Sequence, residues 1–134
     1  MKILIVDGYQ LMREKMIKYL ELRNSFDSVF EANTVRNAKL ILIKEKIDFV
    51  LLDIQLPDTS GLDLVQYSQK LFYRPITILC SNYGLPQYLN TYNNLSVDYF
   101  LDKSSELHQL KMLINNLVDE RRGNYKIKRR QKVS

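Results

Sequence analysis

Four side chains of this sequence stand where chemistry could be done. Asp7 follows the run Lys2–Val6, Asp53 follows Asp48–Leu52, Ser81 follows Ile76–Cys80, and Lys103 follows Val97–Leu101. If these runs are parallel strands, all four residues lie at one sheet edge, where ligands bind in open α/β folds. Two carboxylates in one small site repel, so a divalent cation or a lysine must hold both ionised. Hard oxygen donors suit Mg²⁺, which is usually held by one or two carboxylates plus phosphate oxygens. A carboxylate placed there can attack a phosphoryl group while the metal, an ammonium and a hydroxyl offset the charge on its oxygens. Taken singly, each acid is as readily a loop residue or a helix cap. The four in order carry more weight than any one.

The elements that must position them are legible as alternation. Phe49–Leu52 is four consecutive large apolar residues, the pattern of a central strand covered on both faces. Further strands are expected at Lys2–Val6, Ser28–Ala32, Ile76–Cys80 and Val97–Leu101. Between them, helical patterns cover Gln10–Arg23, Thr34–Lys46, Leu62–Phe72, Pro86–Leu95 and Ser104–Arg121. In the first helix Leu11, Met16, Tyr19 and Leu20 are the apolar positions. In the second, Val35, Ala38, Ile41 and Leu42 form a stripe, with Asn33 or Thr34 as N-cap. The last carries Leu107, Leu110, Ile114 and Leu117. Five strands alternating with five helices predict an α/β fold, a five-stranded doubly wound parallel sheet in the order 2-1-3-4-5.

Composition excludes several classes. No apolar run approaches the ~20 residues of a membrane span, and the short apolar start is no signal peptide. A cytoplasmic location is the resulting expectation. The lone Cys80 rules out an internal disulfide and reads as a small buried hydrophobe, and the single His108 has no partner nearby in sequence. The net charge of +5 is concentrated at one end: residues 121–134 hold seven of the twenty basic side chains and none of the fifteen acids. The body before them is slightly acidic. The expected organisation is one packed domain over 1–122 and a basic tail over 123–134.

These stretches together resemble the receiver domain of bacterial two-component response regulators. The matching residues are Ile3-Leu-Ile-Val-Asp7, Asp48-Phe-Val-Leu-Leu-Asp53 with Leu56-Pro57 and Ser60-Gly61, Ile78-Leu-Cys-Ser81, and Asp98-Tyr-Phe-Leu-Asp-Lys103. The resemblance implies the flavodoxin-like receiver topology. It implies Asp53 as phosphoacceptor, and Mg²⁺ held by Asp7, Asp53 and the backbone carbonyl of Gln55. Ser81 would be the switch hydroxyl, Lys103 the phosphate-pairing lysine and Phe100 the aromatic switch residue. A histidine kinase or phosphotransfer protein would be the donor. Output would pass to an unknown protein, and a homodimer is admitted. No enzyme is implied, and so few residues follow 123 that a single-domain, stand-alone regulator is the expectation.

Two departures stand out. Gly8 follows Asp7 where the family usually has a second acid, so Mg²⁺ binding is expected to be weak unless an acid such as Asp58 compensates. Ser104 follows Lys103 where proline is common in the family. Gly8 also supports an alternative, a receiver-like binding module that does not use Mg²⁺-dependent phosphorylation. Another is a nucleic-acid-associated regulator acting through its basic tail. Tyr88 and Tyr92 are either half-buried helix aromatics or, with Tyr99, a partner surface.

Overall fold

The computed structural model describes residues 1–81, 97–102 and 107–123. Five strands, β1 (Lys2–Val6), β2 (Ser28–Ala32), β3 (Phe49–Asp53), β4 (Ile76–Ser81) and β5 (Tyr99–Asp102), form one sheet in the order β2-β1-β3-β4-β5. Every neighbouring pair is parallel. The helices among the described residues are α1 (Gln10–Tyr19), α2 (Leu22–Ser25), α3 (Val35–Lys44), α4 (Gly61–Gln69) and α5 (Leu107–Arg121). The expected helix over Pro86–Leu95, with Tyr88 and Tyr92, lies outside the described residues, as do Lys103, Ser104 and all of the tail after Gly123.

Strand alternation divides the core into two halves. Ile3, Ile5, Phe49, Leu51, Ile78 and Cys80 pack against Met16, Ile17, Leu20 and Leu22 and against Leu110, Ile114, Leu117 and Val118 of α5. Leu4, Val6, Val50, Leu52 and Leu79 pack against Val35, Ala38 and Leu42 of α3 and Leu64 and Val65 of α4. Each fully buried Leu or Ile contributes on the order of 2 kcal/mol by leaving water. Of the stripes expected for α3 and α5, Val35, Ala38, Leu42, Leu110, Ile114 and Leu117 are buried and Ile41 and Leu107 partly so; Cys80 is a core residue, while His108 is exposed.

The first helix departs from expectation. Gln10–Arg23 is broken at Glu21, whose φ of 52° is left-handed. Leu20 and Leu22 are both in the core. Two residues apart on a continuous helix they would point about 200° away from each other. The turn at Glu21 lets both face inward. Leu11 and Tyr19 are exposed rather than core, and Met16, Ile17 and Leu20 carry the buried face instead. Elsewhere the differences are at ends. β3 starts at Phe49 and includes Asp53; α4 starts at Gly61 and stops before Phe72, which is fully exposed.

Thr34 is the N-cap of α3: its hydroxyl accepts the Asn37 N–H at 3.0 Å. Replacing it with alanine is expected to cost about 1 kcal/mol. The check is a lower urea midpoint with an unchanged m-value.

At the edge opposite the strand C-termini, Asp48 joins four segments. Its carboxylate accepts the Lys2 N–H at 2.7 Å and the Tyr73 hydroxyl, and lies 3.6 Å from Arg121 Nη1. Its own N–H donates to the Lys2 carbonyl at 2.9 Å. Arg121 also lies 5.6 Å from the Phe49 ring centroid. The hydrogen bond to Asp48, with burial second, holds the Tyr73 phenol above its ordinary pKa.

Candidate functional site

Val6 of β1 lies opposite Leu52 of β3. Asp7 and Asp53 are the next residue on each chain, so the register brings them side by side, about 4.8 Å apart at the backbone. Ile3 and Ile5, and Phe49 and Leu51, face the α1 and α5 side of the sheet. Residues 7 and 53 continue that same parity. Asp7 is 1% exposed and Asp53 7% exposed.

Local backbone geometry holds both acids. Asp7 Oδ1 accepts the Tyr9 N–H at 2.9 Å, across the turn that leads into α1. Arg13 Nη1 donates to the Asp7 carbonyl at 2.7 Å, while its Nε donates to Glu31 at 2.9 Å. Arg13 thus ties the first turn of α1 to the β1 end, a role that nothing in its local sequence signals. Asp53 Oδ1 accepts the Gln55 N–H at 3.3 Å. Gln55 then bridges to Ser60, and the Gly61 N–H donates to the Ile54 carbonyl at 2.7 Å. Residues 54–60 therefore form a closed turn whose base holds Asp53.

Ser81 is the last residue of β4 and is 1% exposed. Cys80 is opposite Asp53, so Ser81 lies one position beyond it on the adjacent strand. Phe100 is opposite Leu79 and packs, half-buried, with the α3 and α4 half of the core. Lys103 falls outside the described residues, so its expected approach to Asp53 does too.

The donor set fits a hard divalent cation: two buried carboxylates in register, with the Gln55 backbone in the adjoining turn. Among the described residues, no group of three or more His, Cys, Asp or Glu comes together to hold a metal. Gly8 is tightly covered. A Cβ there would lie 3.1 Å from Pro57 Cδ and 3.2 Å from Pro57 Cγ. Both distances are tighter than ordinary van der Waals contact, so a side chain at position 8 pushes on the turn that carries Gln55.

Asp58, the acid that could have compensated for Gly8, is turned to another use. Its Oδ1 accepts the Val35 N–H at 3.0 Å and its Oδ2 accepts the Arg36 N–H at 3.1 Å. Those N–H groups belong to the first turn of α3, where no intrahelical acceptor exists. Desolvation pushes the Asp58 carboxyl up, but backbone N–H groups of Val35, Arg36, its own residue and Thr59 outweigh it and hold it below the usual carboxylate range. This stabilising contact is complete above the ordinary carboxylate pKa and is lost as the pH falls through the lowered value.

A doubly wound parallel sheet in the order β2-β1-β3-β4-β5 defines the flavodoxin-like fold class. Residues 3–115 match the response regulator receiver domain, and the chain belongs to that family. Among curated relatives, the sensory transduction protein LytT of Bacillus anthracis is 32% identical over 107 residues, covering 79% of this chain and 43% of that protein. LytR of Staphylococcus haemolyticus is 31% identical over 117 residues, covering 87% of this chain and 45% of that protein. The chain spans less than half the length of these two relatives. Among solved structures, a CheY-like receiver domain from Methanospirillum hungatei superposes with a TM-score of 0.78 at 24% identity, covering 91% of this chain and 96% of that one. TrrA of Thermotoga maritima, solved in complex with Mg²⁺ and BeF, gives a TM-score of 0.73 at 25% identity, covering 87% of this chain and 97% of that one. Receiver domains are the phosphorylation-based signalling modules of two-component systems, and Mg²⁺ binding is typical of them. No helix among the described residues is long and apolar enough to cross a membrane.

Proposed function

We propose that Asp53 accepts a phosphoryl group from a histidine kinase or phosphotransfer protein. The observation that carries this reading is the in-register pair of buried carboxylates, Asp7 and Asp53, at the C-terminal edge of a receiver-family sheet. An Asp53 carboxylate oxygen forms the new bond to phosphorus. The bond from phosphorus to the donor imidazole breaks, and its electron pair returns to the ring nitrogen. Ser81, beside Asp53 on the next strand, donates its hydroxyl to a phosphoryl oxygen, and Lys103 pairs with another. Asp7, Asp53 and the Gln55 carbonyl are the residues that would hold Mg²⁺, which when bound neutralises the acids and draws charge from the phosphoryl oxygens. With Gly8 in place of a second acid, two carboxylates face the ion and its affinity is modest.

The test is intact mass after incubation with acetyl phosphate and Mg²⁺. Wild type is expected to gain one phosphoryl group and Asp53→Asn none. An unmodified wild type would favour the rival reading of a receiver-like binding module, which Gly8 in place of a second acid supports. Equal labelling of Asp53→Asn would put the acceptor elsewhere.

A further inference from the structure

The turn over residues 54–60 is fixed at its base by β3 and α4, yet its tip reaches a different part of the fold. Asp58 crosses to α3 and caps the N–H groups of Val35 and Arg36 with one oxygen each. Beside it, Pro57 rests on Gly8, the residue after Asp7. Thr34 already caps α3 from within its own segment, through Asn37. Asp58 serves the two first-turn amides that Thr34 does not reach, so one contact caps the helix and holds the turn at once. Its distinct effect is on the turn, which it draws toward the N-terminus of α3 while Pro57 covers the β1–α1 junction.

We propose that Asp58 is a positioning residue, one that pins the acceptor turn so that the Gln55 backbone is held beside Asp7 and Asp53. This rests on the assignment of that edge as the phosphoryl and Mg²⁺ site. Gly8 and Asp58 then belong to one arrangement. The glycine makes room for Pro57 to close down, and the aspartate holds it closed. Asp58 acts through Gln55 rather than by touching the ion. Its carboxylate is committed to two α3 amides, so it does not replace the acid missing at position 8. Residues that orient a metal ligand from behind typically change metal affinity by 10–100-fold when removed.

The experiment compares Asp58→Ala, Asp58→Asn and Thr34→Ala with wild type in the full chain. Two readouts are needed: hydrogen exchange of the Gln55 and Gly61 amides without metal, and a Mg²⁺ titration followed by backbone amide shifts. Asp58→Ala is expected to speed exchange at both amides and to raise the Mg²⁺ midpoint about tenfold. Asp58→Asn keeps one acceptor oxygen but sets an N–H donor against the other α3 amide, so it is expected to lie between wild type and Asp58→Ala. Thr34→Ala loosens the same helix end without releasing the turn, so neither readout should move. The proposal is overturned if Thr34→Ala matches Asp58→Ala, or if Asp58→Ala leaves the midpoint unchanged. A wild type silent to Mg²⁺ would instead overturn the site assignment, and the exchange pattern would decide the turn contact by itself.

Discussion

Gly61→Ala is expected to destabilise the protein by about 3 kcal/mol or more, the upper range for forcing atoms into a filled space. An added Cβ would lie 2.4 Å from the Asp53 carbonyl oxygen, 2.6 Å from Leu52 Cδ1 and 3.1 Å from Ile54 Cα. Two of these three atoms are backbone, so no rotamer change relieves them. Asp53 is also held in the sheet opposite Cys80, and Gly61 is fixed by its 2.7 Å bond to the Ile54 carbonyl. Ordinary helix propensity would predict the opposite sign, a gain of about 1 kcal/mol for alanine over glycine. The collision is larger and decides the outcome. A urea midpoint at or above that of wild type would refute this reading. The displaced atom belongs to Asp53, the proposed acceptor, so whatever fraction folds should also take up less phosphoryl group from acetyl phosphate.

Asp48→Ala is expected to cost about 2 kcal/mol, because it removes the acceptor from two part-buried donors. The Lys2 N–H and the Tyr73 hydroxyl both lose their acceptor, and Arg121 loses its carboxylate. The contributions are unequal. Arg121 is a third exposed and 3.6 Å away, so its share is that of a surface pair, well under 1 kcal/mol. Arg121→Gln should therefore do little, while Asp48→Ala approaches the summed loss of two part-buried hydrogen bonds. A double-mutant cycle between Asp48 and Tyr73 measures the larger share directly. Asp48→Ala within a few tenths of a kcal/mol of wild type would show that water replaces the carboxylate. Because Asp48 lies at the edge away from Asp53, this loss should appear in stability with phosphoryl uptake by the folded protein unchanged.

Both substitutions test residues whose importance lies in what they meet across the fold, and the same holds for Asp58 and Gly8. Asp58 looks in sequence like a spare metal ligand near Asp53. Its partners, Val35 and Arg36, are more than twenty residues earlier in the chain. Gly8 looks like a lost acid. In the fold it is also the floor on which Pro57 rests.

By itself the sequence determined whatever depends on short-range pattern. The apolar run before Asp53 marks a strand covered on both faces, and the pair Asn33 and Thr34 marks a helix start, because each signal is written in neighbouring residues. The alternation of such segments limits the topology to a doubly wound sheet, and with it the edge at which Asp7, Asp53 and Ser81 stand. Only the tertiary structure decided where the chain breaks its own pattern. Glu21 takes a left-handed turn with no glycine or proline to announce it, because burying both Leu20 and Leu22 outweighs the ~1–2 kcal/mol of backbone strain. Leu11 is apolar yet solvent-facing, because Met16, Ile17 and Leu20 already fill the space beneath α1. Asp48, Asp58, Gly8 and Gly61 owe their roles to atoms far away in sequence or across a turn. A hydrogen bond or a collision of that kind leaves no trace in local composition, and it exists only once the sheet has brought its partners together.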